Sequence, residues 1–139
     1  MEPEWAPNHV RNFLNLVSAG WYDGTMFHRV VHGFAQGGIG VTRTNGPDHA
    51  ADRWVHMLAP EFSAIRHARG SVPMARADNP NSASTSFFLG FGPSPHLNGN
   101  YSRFGREGLE GLDIFNKEKV SGETPKRALE MIEARIDPL

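Results

Sequence analysis

Near the start of the chain, apolar residues recur at helical spacing among polar ones. In the segment NHVRNFLNLVSAG, the residues that share one helical face are Val10, Phe13, Leu14 and Val17. Asn8 is suited to be the N-cap, because its side-chain oxygen can accept a hydrogen bond from a free N–H group of the first turn. Gly20 is suited to end the helix, because glycine readily adopts positive φ. The pattern predicts an amphipathic helix that starts at Asn8 and stops before Gly20.

Three later segments have the aromatic and β-branched composition of strands. They are TMFHRVV (residues 25–31), GSVPMARA (70–77) and SFFLGFG (86–92). The glycine-rich run GGIG, residues 37–40, indicates a turn or a bulge. Several short strands separated by glycine-rich or polar segments predict a mainly β protein, either an antiparallel barrel or a sandwich.

The C-terminal segment RALEMIEARI, residues 127–136, favours a helix by local pattern. It contains strong helix formers, and five of its residues share one helical face: Ala128, Leu129, Ile132, Arg135 and Ile136. A strand would require a shift in the alternation between Met131 and Ile132.

Length and composition narrow the possible functions. The 139 residues fit one domain over positions 1–139, and the net charge of −1 gives no general field to attract nucleic acid or an anionic membrane. No basic leader followed by an apolar run and no stretch of about 20 apolar residues is present. The absence of cysteine excludes disulfides and suits a reducing compartment. We therefore expect a soluble, cytoplasmic protein that binds neither nucleic acid nor membrane.

Metal, phosphate and nucleophile chemistry find little support in the sequence. His28 and His32 would lie about 13 Å apart on a strand, too far for one metal ion. The GGIG run has neither the spacing nor the lysine of a phosphate loop, and the serines of NSASTS lack a nucleophile elbow. We expect no metal and no cofactor.

One arginine and several apolar residues remain as candidates for a binding site. Arg29 stands inside an apolar strand, where burying a charge is costly without a partner or a purpose. The apolar candidates are Phe34, Met74, Phe88 and Leu97. By sequence alone, Met74 and Phe88 are more often core residues than pocket walls.

The blocks that contain these residues resemble the cyclophilin family of peptidyl-prolyl cis-trans isomerases. The matching blocks are NFLNLVSAGWYDGTMFHRVVHGF, TRTNG, PEFSAIRHARGSVPMARADNPNSASTSFF and HLNGNYSRFGREGLEGLDIF, in the family's order from about residue 7 to residue 115. The resemblance implies a cyclophilin-like antiparallel β-barrel with flanking helices. It also implies isomerisation of X-Pro bonds in peptides and folding proteins.

The resemblance assigns a role to each candidate. Arg29 would be the catalytic arginine, and the proline ring would lie among Phe34, Met74, Phe88 and Leu97. The substrate backbone would pair with the strand edge at Ala75, Arg76 and Ala77, while Tyr101 would lie at the pocket rim. His96 stands where some members have tryptophan, which bears on binding of the cyclic peptide cyclosporin.

Two hydrogen-bonding positions depart from the family pattern. The family reads G-F-x-x-Q-G-G-D where this chain reads GFAQGGIG, so a gapless alignment places Gly37, rather than Gln36, at the catalytic glutamine. On one regular strand Arg29 and Gln36 face opposite sides, and Gln36 would then need a bulge at Gly37 and Gly38 to assist. A second glutamine of the family is replaced by Ser86.

The family's first strand pair has no counterpart in this sequence. Its absence would leave an open barrel edge, which a partner chain or self-association could cover. Besides the isomerase, two alternatives remain open at this point. One is a weakly active or inactive module that binds proline-containing segments of a partner protein, and the other is a divergent domain whose pocket is only core.

Overall fold

The computed structural model describes residues 1–31, 33–63, 70–91, 99–106, 113–116 and 120–137. The helices are α1 (Pro7–Ser18) and α2 (Asp113–Asn116). The strands are β1 (Phe27–Val31), β2 (Phe34–Gly37), β3 (Ser71–Pro73), β4 (Phe87–Gly90), β5 (Arg103–Arg106), β6 (Val120–Ser121) and β7 (Thr124–Pro125). Two short 3-10 helices cover Gly40–Thr42 and Ala50–Trp54. No helix in these ranges is long and apolar enough to cross a membrane.

The strands form three antiparallel sheets. The first has the order β1-β2-β4, the second joins β3 to β5, and the third is the β6-β7 hairpin. An isolated bridge between Met74 and Phe87 connects the first two sheets. The N–H of Val30 donates to the carbonyl of Glu123 (2.8 Å), which places the β6-β7 turn beside β1. Among the described residues these sheets do not close into a barrel, but the mainly β class is confirmed.

Helix α1 forms where the apolar spacing predicts it, but its N-terminus is stabilised differently. Asn8 is not the N-cap: the helix begins at Pro7 after Ala6, and Ala6 provides no side-chain cap. Proline suits the first helical position because it has no N–H to satisfy. The N–H groups of Asn8 and His9 donate instead to the carboxylate of Glu61, at 3.2 and 2.8 Å. The helix ends at Ser18, and Gly20 follows with φ +72°, as predicted.

The main core lies under α1. It contains Leu16, Tyr22, Met74, Phe87 and Phe104, each at most 4% exposed. Two smaller apolar clusters lie elsewhere on the first sheet: one around Val30, Ala35, Phe91 and Phe115, and one of Phe34, Ala75 and Phe88. Because side chains alternate along β2, Phe34 and Gln36 share a face opposite to Ala35.

The C-terminal segment is extended, so the predicted helix is wrong. Backbone bonds join Phe27 N to Leu129 O (2.8 Å) and Met131 N to Thr25 O (2.8 Å), so the segment pairs with the free edge of β1. The alternation does shift after Met131: Leu129, Met131 and Ala134 are partly buried, whereas Ile132 is 80% exposed. These tertiary hydrogen bonds outweigh a helix propensity of only a few tenths of a kcal/mol per residue.

Candidate active site

The β1-β2 hairpin brings Arg29 and Gln36 together on one face of the first sheet. They are direct cross-strand partners, and Arg29 Nη1 donates to Gln36 Oε1 at 3.3 Å. The expectation that they face opposite sides is wrong, because it assumed a single continuous strand. The chain reverses after Val31, and two residues paired across an antiparallel hairpin point to the same side. No bulge at Gly37 and Gly38 is needed; the one irregularity in this pairing lies in β1, between Phe27 and Arg29.

Gln36 continues the row of polar contacts to Ser86, the residue immediately before β4. Its Nε2 donates to Ser86 Oγ (3.0 Å), and Ser86 Oγ donates to the carbonyl of Gly37 (2.8 Å). Ser86 therefore accepts from Gln36 where the family has a second glutamine. The hydrogen bonds fix the amide of Gln36 so that its oxygen faces Arg29.

Gly38 lets the chain turn immediately after this row of polar contacts. It has φ +85°, and an added Cβ would lie 2.8 Å from the carbonyl oxygen of Thr85. The hydroxyl of Thr85 donates to the carbonyl of Gly38 at 2.7 Å. Part of the glycine-rich run is thus strand, since Gly37 belongs to β2, and Gly38 supplies the turn.

Arg29 has a second partner that the sequence did not indicate. Its Nε donates to Glu123 Oε2 (2.7 Å) and its Nη2 to Glu123 Oε1 (3.3 Å), a two-point contact from the β6-β7 turn. Hydrogen bonding to Arg29 lowers the pKa of Glu123, so this carboxylate stays ionised. The guanidinium carbon also lies 5.2 Å from the centre of the Phe34 ring. No local sequence signal links residues 94 positions apart.

An arginine guanidinium has five N–H groups. In Arg29, three of them donate hydrogen bonds to other side chains. Two bind Glu123 and one binds Gln36. Within the described ranges the other two have no partner. The Arg29 side chain is about one-third exposed.

An apolar cluster lies beside these donors. Phe34, Ala75 and Phe88 are each at most 7% exposed, and Val31 and Tyr101 pack against them. The Phe34 and Phe88 rings meet edge to face at 4.7 Å, and the Phe88 ring lies 6.1 Å from that of Tyr101. Met74 lies in the main core and is 1% exposed, separate from this cluster. Its predicted role as a pocket wall stays a prediction.

Arg76 anchors the segment that follows β3. Its Nη2 donates to the carbonyl of Asn100 (2.7 Å), its Nη1 to the carbonyl of Ala77 (2.9 Å), and its guanidinium carbon lies 4.7 Å from the centre of the Tyr101 ring. The N–H of Ala77 donates to Ser82 Oγ at 2.9 Å. Arg76 thus holds Tyr101 next to Phe88. The remaining two candidates, His96 and Leu97, lie outside the described residues.

Comparison with known proteins gives the same family for nearly the whole chain. The profile of the family described as "Cyclophilin type peptidyl-prolyl cis-trans isomerase/CLD" matches residues 1–136. A probable peptidyl-prolyl cis-trans isomerase of Brucella suis is 37% identical over 145 aligned positions, which cover 93% of this chain and 69% of that protein. Peptidyl-prolyl cis-trans isomerase B of Bacillus subtilis is 38% identical, with 89% of this chain and 82% of that protein covered.

Solved structures agree with the sequence relatives. A cyclophilin-type isomerase of Cryptosporidium parvum, crystallised in the presence of the dipeptide Ala-Pro, has a TM-score of 0.83 at 26% identity and covers 99% of this chain and 89% of its own. Cyclophilin AquaCyp293 of Hirschia baltica has a TM-score of 0.78 at 27% identity, covering 94% of this chain; this chain spans 66% of that one. The protein belongs to the cyclophilin family, and its reaction class is peptidyl-prolyl cis-trans isomerisation.

Proposed function

We propose that this chain catalyses rotation about X-Pro bonds in peptides and folding proteins, with Arg29 as the hydrogen-bond donor to the prolyl nitrogen. The observation that carries the proposal is the juxtaposition of two available guanidinium N–H groups with the apolar cluster of Phe34, Ala75 and Phe88. A pyrrolidine ring on that cluster would bring its nitrogen toward the guanidinium.

The chemistry of the prolyl bond explains why such a site suffices. Resonance holds the bond near planar with a barrier of about 18–20 kcal/mol, and the uncatalysed step takes tens to hundreds of seconds. Halfway through the rotation the nitrogen loses this resonance and regains a lone pair. A hydrogen bond from Arg29 to that lone pair forms only in the twisted state, so it lowers the barrier without stabilising the ground state. No bond is broken, and no proton is transferred.

The surrounding residues would orient both partners. Glu123 and Gln36 limit the rotation of the guanidinium, which reduces the entropy lost when it meets the nitrogen. Phe34 and Phe88 exclude water, which strengthens the hydrogen bond and favours the less polar twisted amide. In this proposal the substrate backbone pairs with the edge formed by Ala75, Arg76 and Ala77 through the backbone groups that remain there, since the N–H groups of Ala75 and Ala77 already donate to Ser86 O and Ser82 Oγ. Tyr101 borders the pocket.

A protease-coupled assay on a proline tetrapeptide tests the proposal. We expect Arg29→Ala to lower kcat/KM about 10²- to 10³-fold, the usual cost of removing a transition-state donor. Arg29→Lys should recover little, because an ammonium cannot reproduce the fork that binds Glu123 and Gln36. Arg135→Ala, on the exposed C-terminal segment, is the matched control and should leave the rate unchanged.

Two results would contradict the proposal. Equal rates above background for the wild type and Arg29→Ala would exclude Arg29 as the donor. Rates equal to the uncatalysed reaction for both, together with measurable binding of the peptide, would favour the alternative of a module that only binds proline-containing segments.

The proposal extends to the C-terminal segment beside β1, where a partner chain or a second copy would cover exposed apolar side chains. Ile132 and Ile136 are 80% and 51% exposed on the C-terminal segment. Sedimentation of the wild type should show self-association that Ile132→Glu reduces. A wild type that stays monomeric at all concentrations would exclude a second copy as the partner and leave a different protein as the remaining partner. The cytoplasmic location inferred from the absence of cysteine stays a prediction.

A further inference from the structure

A groove lies between α1 and the segment of residues 53–59. It has a volume of about 830 Å³ and shares no residue with the candidate active site. Leu16 and Leu58, both buried, form its floor, whereas Trp54 and Met57 on its wall are 52% and 71% exposed. A volume of this size lies within the range of about 300–1,000 Å³ that is typical of ligand pockets. Two large apolar side chains exposed beside a concave surface are typical of a binding site.

The groove carries local positive charge although the whole chain has a net charge of −1. Arg11 and Arg53 line it, and neither has an ion-pair partner among the described residues. The guanidinium carbon of Arg53 lies 4.8 Å from the centre of the Trp54 ring, so this arginine is held against an apolar surface.

The neighbouring carboxylates of Glu61 and Asp52 form no ion pair with these arginines, because their oxygens accept hydrogen bonds from other groups. Glu61 accepts from the N–H groups of Asn8 and His9. Asp52 accepts from Trp21 Nε1 (2.7 Å) and from the N–H of His49 (2.9 Å). The two guanidinium groups are therefore available to anionic groups of a ligand.

The helix side of the groove presents side-chain amides. Asn8, Asn12 and Asn15 line it, and Asn12 Nδ2 is fixed by donating to the carbonyl of Ser84 (2.8 Å). Asn8 and Asn15 are exposed. A primary amide both donates and accepts, so it can pair with the C=O and N–H groups of an extended peptide.

We propose that this groove binds an acidic peptide segment of a partner protein. The segment's carboxylates pair with Arg11 and Arg53, its backbone bonds to Asn8 and Asn15, and an apolar side chain packs on Trp54 and Met57. A nucleic acid is the less favoured polyanion, because two arginines on a chain of net charge −1 provide few phosphate contacts and no long-range attraction. The site is independent of proline turnover and gives the protein a second means of holding a partner.

Titration of the full chain followed by backbone amide NMR tests this proposal. The probe is the capped, proline-free peptide acetyl-EDLFDE-amide, and the comparison peptide is acetyl-QNLFNQ-amide. We expect the acidic peptide to shift resonances of residues 8–18 and 53–59 and to bind about tenfold more tightly than the neutral one, since two charged contacts are involved. Added salt should weaken the binding of the acidic peptide.

Matched variants assign the effect to the groove. The double variant Arg11→Gln/Arg53→Gln should bind the acidic peptide about tenfold more weakly, whereas Arg135→Gln should bind like the wild type. Equal affinity for both peptides, no binding of the acidic one, or shifts confined to β1, β2 and β4 would overturn the proposal. Tighter binding of a ten-nucleotide oligothymidylate than of the peptide would identify a nucleic-acid surface instead. Since no substitution touches Arg29, isomerase activity reports correct folding.

Discussion

Arg29 and Glu123 form an ion pair that the local sequence around either residue does not predict. The two-point contact and the Phe34 ring below the guanidinium hold Arg29 in one orientation. We classify Glu123 as a positioning residue, since in the proposed mechanism it acts on the substrate only through Arg29.

Glu123→Gln should lower kcat about two- to fivefold and leave KM nearly unchanged, a range typical of exposed ion pairs. The assay is the proline tetrapeptide reaction, started at low salt. As salt is added, kcat of the wild type should fall by the same two- to fivefold, whereas kcat of the variant should not change. Because the pKa of Glu123 is lowered by Arg29, pairing is present above the ordinary glutamate pKa near 4.3 and is lost only as the pH falls through the lower folded value.

Glu133→Gln, which removes another exposed carboxylate, is the control and should behave like the wild type at every salt concentration. An equal loss in both variants would indicate a general charge effect rather than positioning of Arg29.

Helix α1 depends on a residue far away in the sequence for its N-terminal stability. Glu61 binds the N–H groups of Asn8 and His9, and its Oε1 lies 2.5 Å from His9 Nδ1. Burial alone would raise the pKa of Glu61, but the hydrogen bonds from His9 and Asn8 together lower it. A carboxylate at this position also interacts favourably with the helix dipole.

Glu61→Gln should reduce the free energy of unfolding at pH 7 by about 1–2 kcal/mol, the usual cost of losing a helix cap. A depressed folded pKa stabilises the protein above the unfolded pKa, and this contribution is lost as the pH falls through the folded value. The difference between the wild type and the variant should therefore shrink as the pH falls below the ordinary glutamate pKa and through the lower folded value. Urea unfolding measured across this range checks it.

Asp48→Asn removes an exposed carboxylate that makes no hydrogen bond or ion pair with the described residues, and it should change stability little at either pH. A difference between the wild type and Glu61→Gln that does not vary with pH would contradict the role of the ionised carboxylate.

At the scale of the whole molecule, the C-terminal segment connects distant parts of the chain. Besides its bonds to Thr25 and Phe27, the carbonyl of Met131 accepts from the N–H of Gly24 (2.7 Å), and the N–H of Ala134 donates to Asp23 Oδ1 (2.9 Å). The segment forms hydrogen bonds along the edge of β1, the strand that contains Arg29, and so helps to fix the position of this strand in the candidate site.

Met131→Pro should destabilise the protein by about 1–2 kcal/mol more than Met131→Ala. Both variants lose the methionine side chain, but only proline removes the N–H that bonds to Thr25. Thermal and urea unfolding of the two variants measure this difference. Equal stability would mean that the pairing of this segment with β1 contributes nothing to the folded state.

Local pattern was sufficient to locate the elements that have a clear apolar period or strand composition. The spacing of Val10, Phe13, Leu14 and Val17 gave the position of α1, and β-branched and aromatic residues gave β1 and β4. The residue motifs gave the family, which the comparisons confirm. The prediction of one domain over residues 1–139 stays a prediction.

What only the tertiary structure decided involves partners far apart in sequence. The cap from Glu61, the contact of Glu123 with Arg29 and the extended C-terminal segment all depend on hydrogen bonds to distant residues. Gln36 joined Arg29 because a hairpin reversal, which periodicity within one strand cannot show, made them cross-strand neighbours. The sequence by itself determined the family and the candidate site residues, since residue type is local information. The fold determined which of them meet. Bringing together residues that are far apart in sequence costs chain entropy, and the burial of apolar side chains in the assembled core offsets that cost.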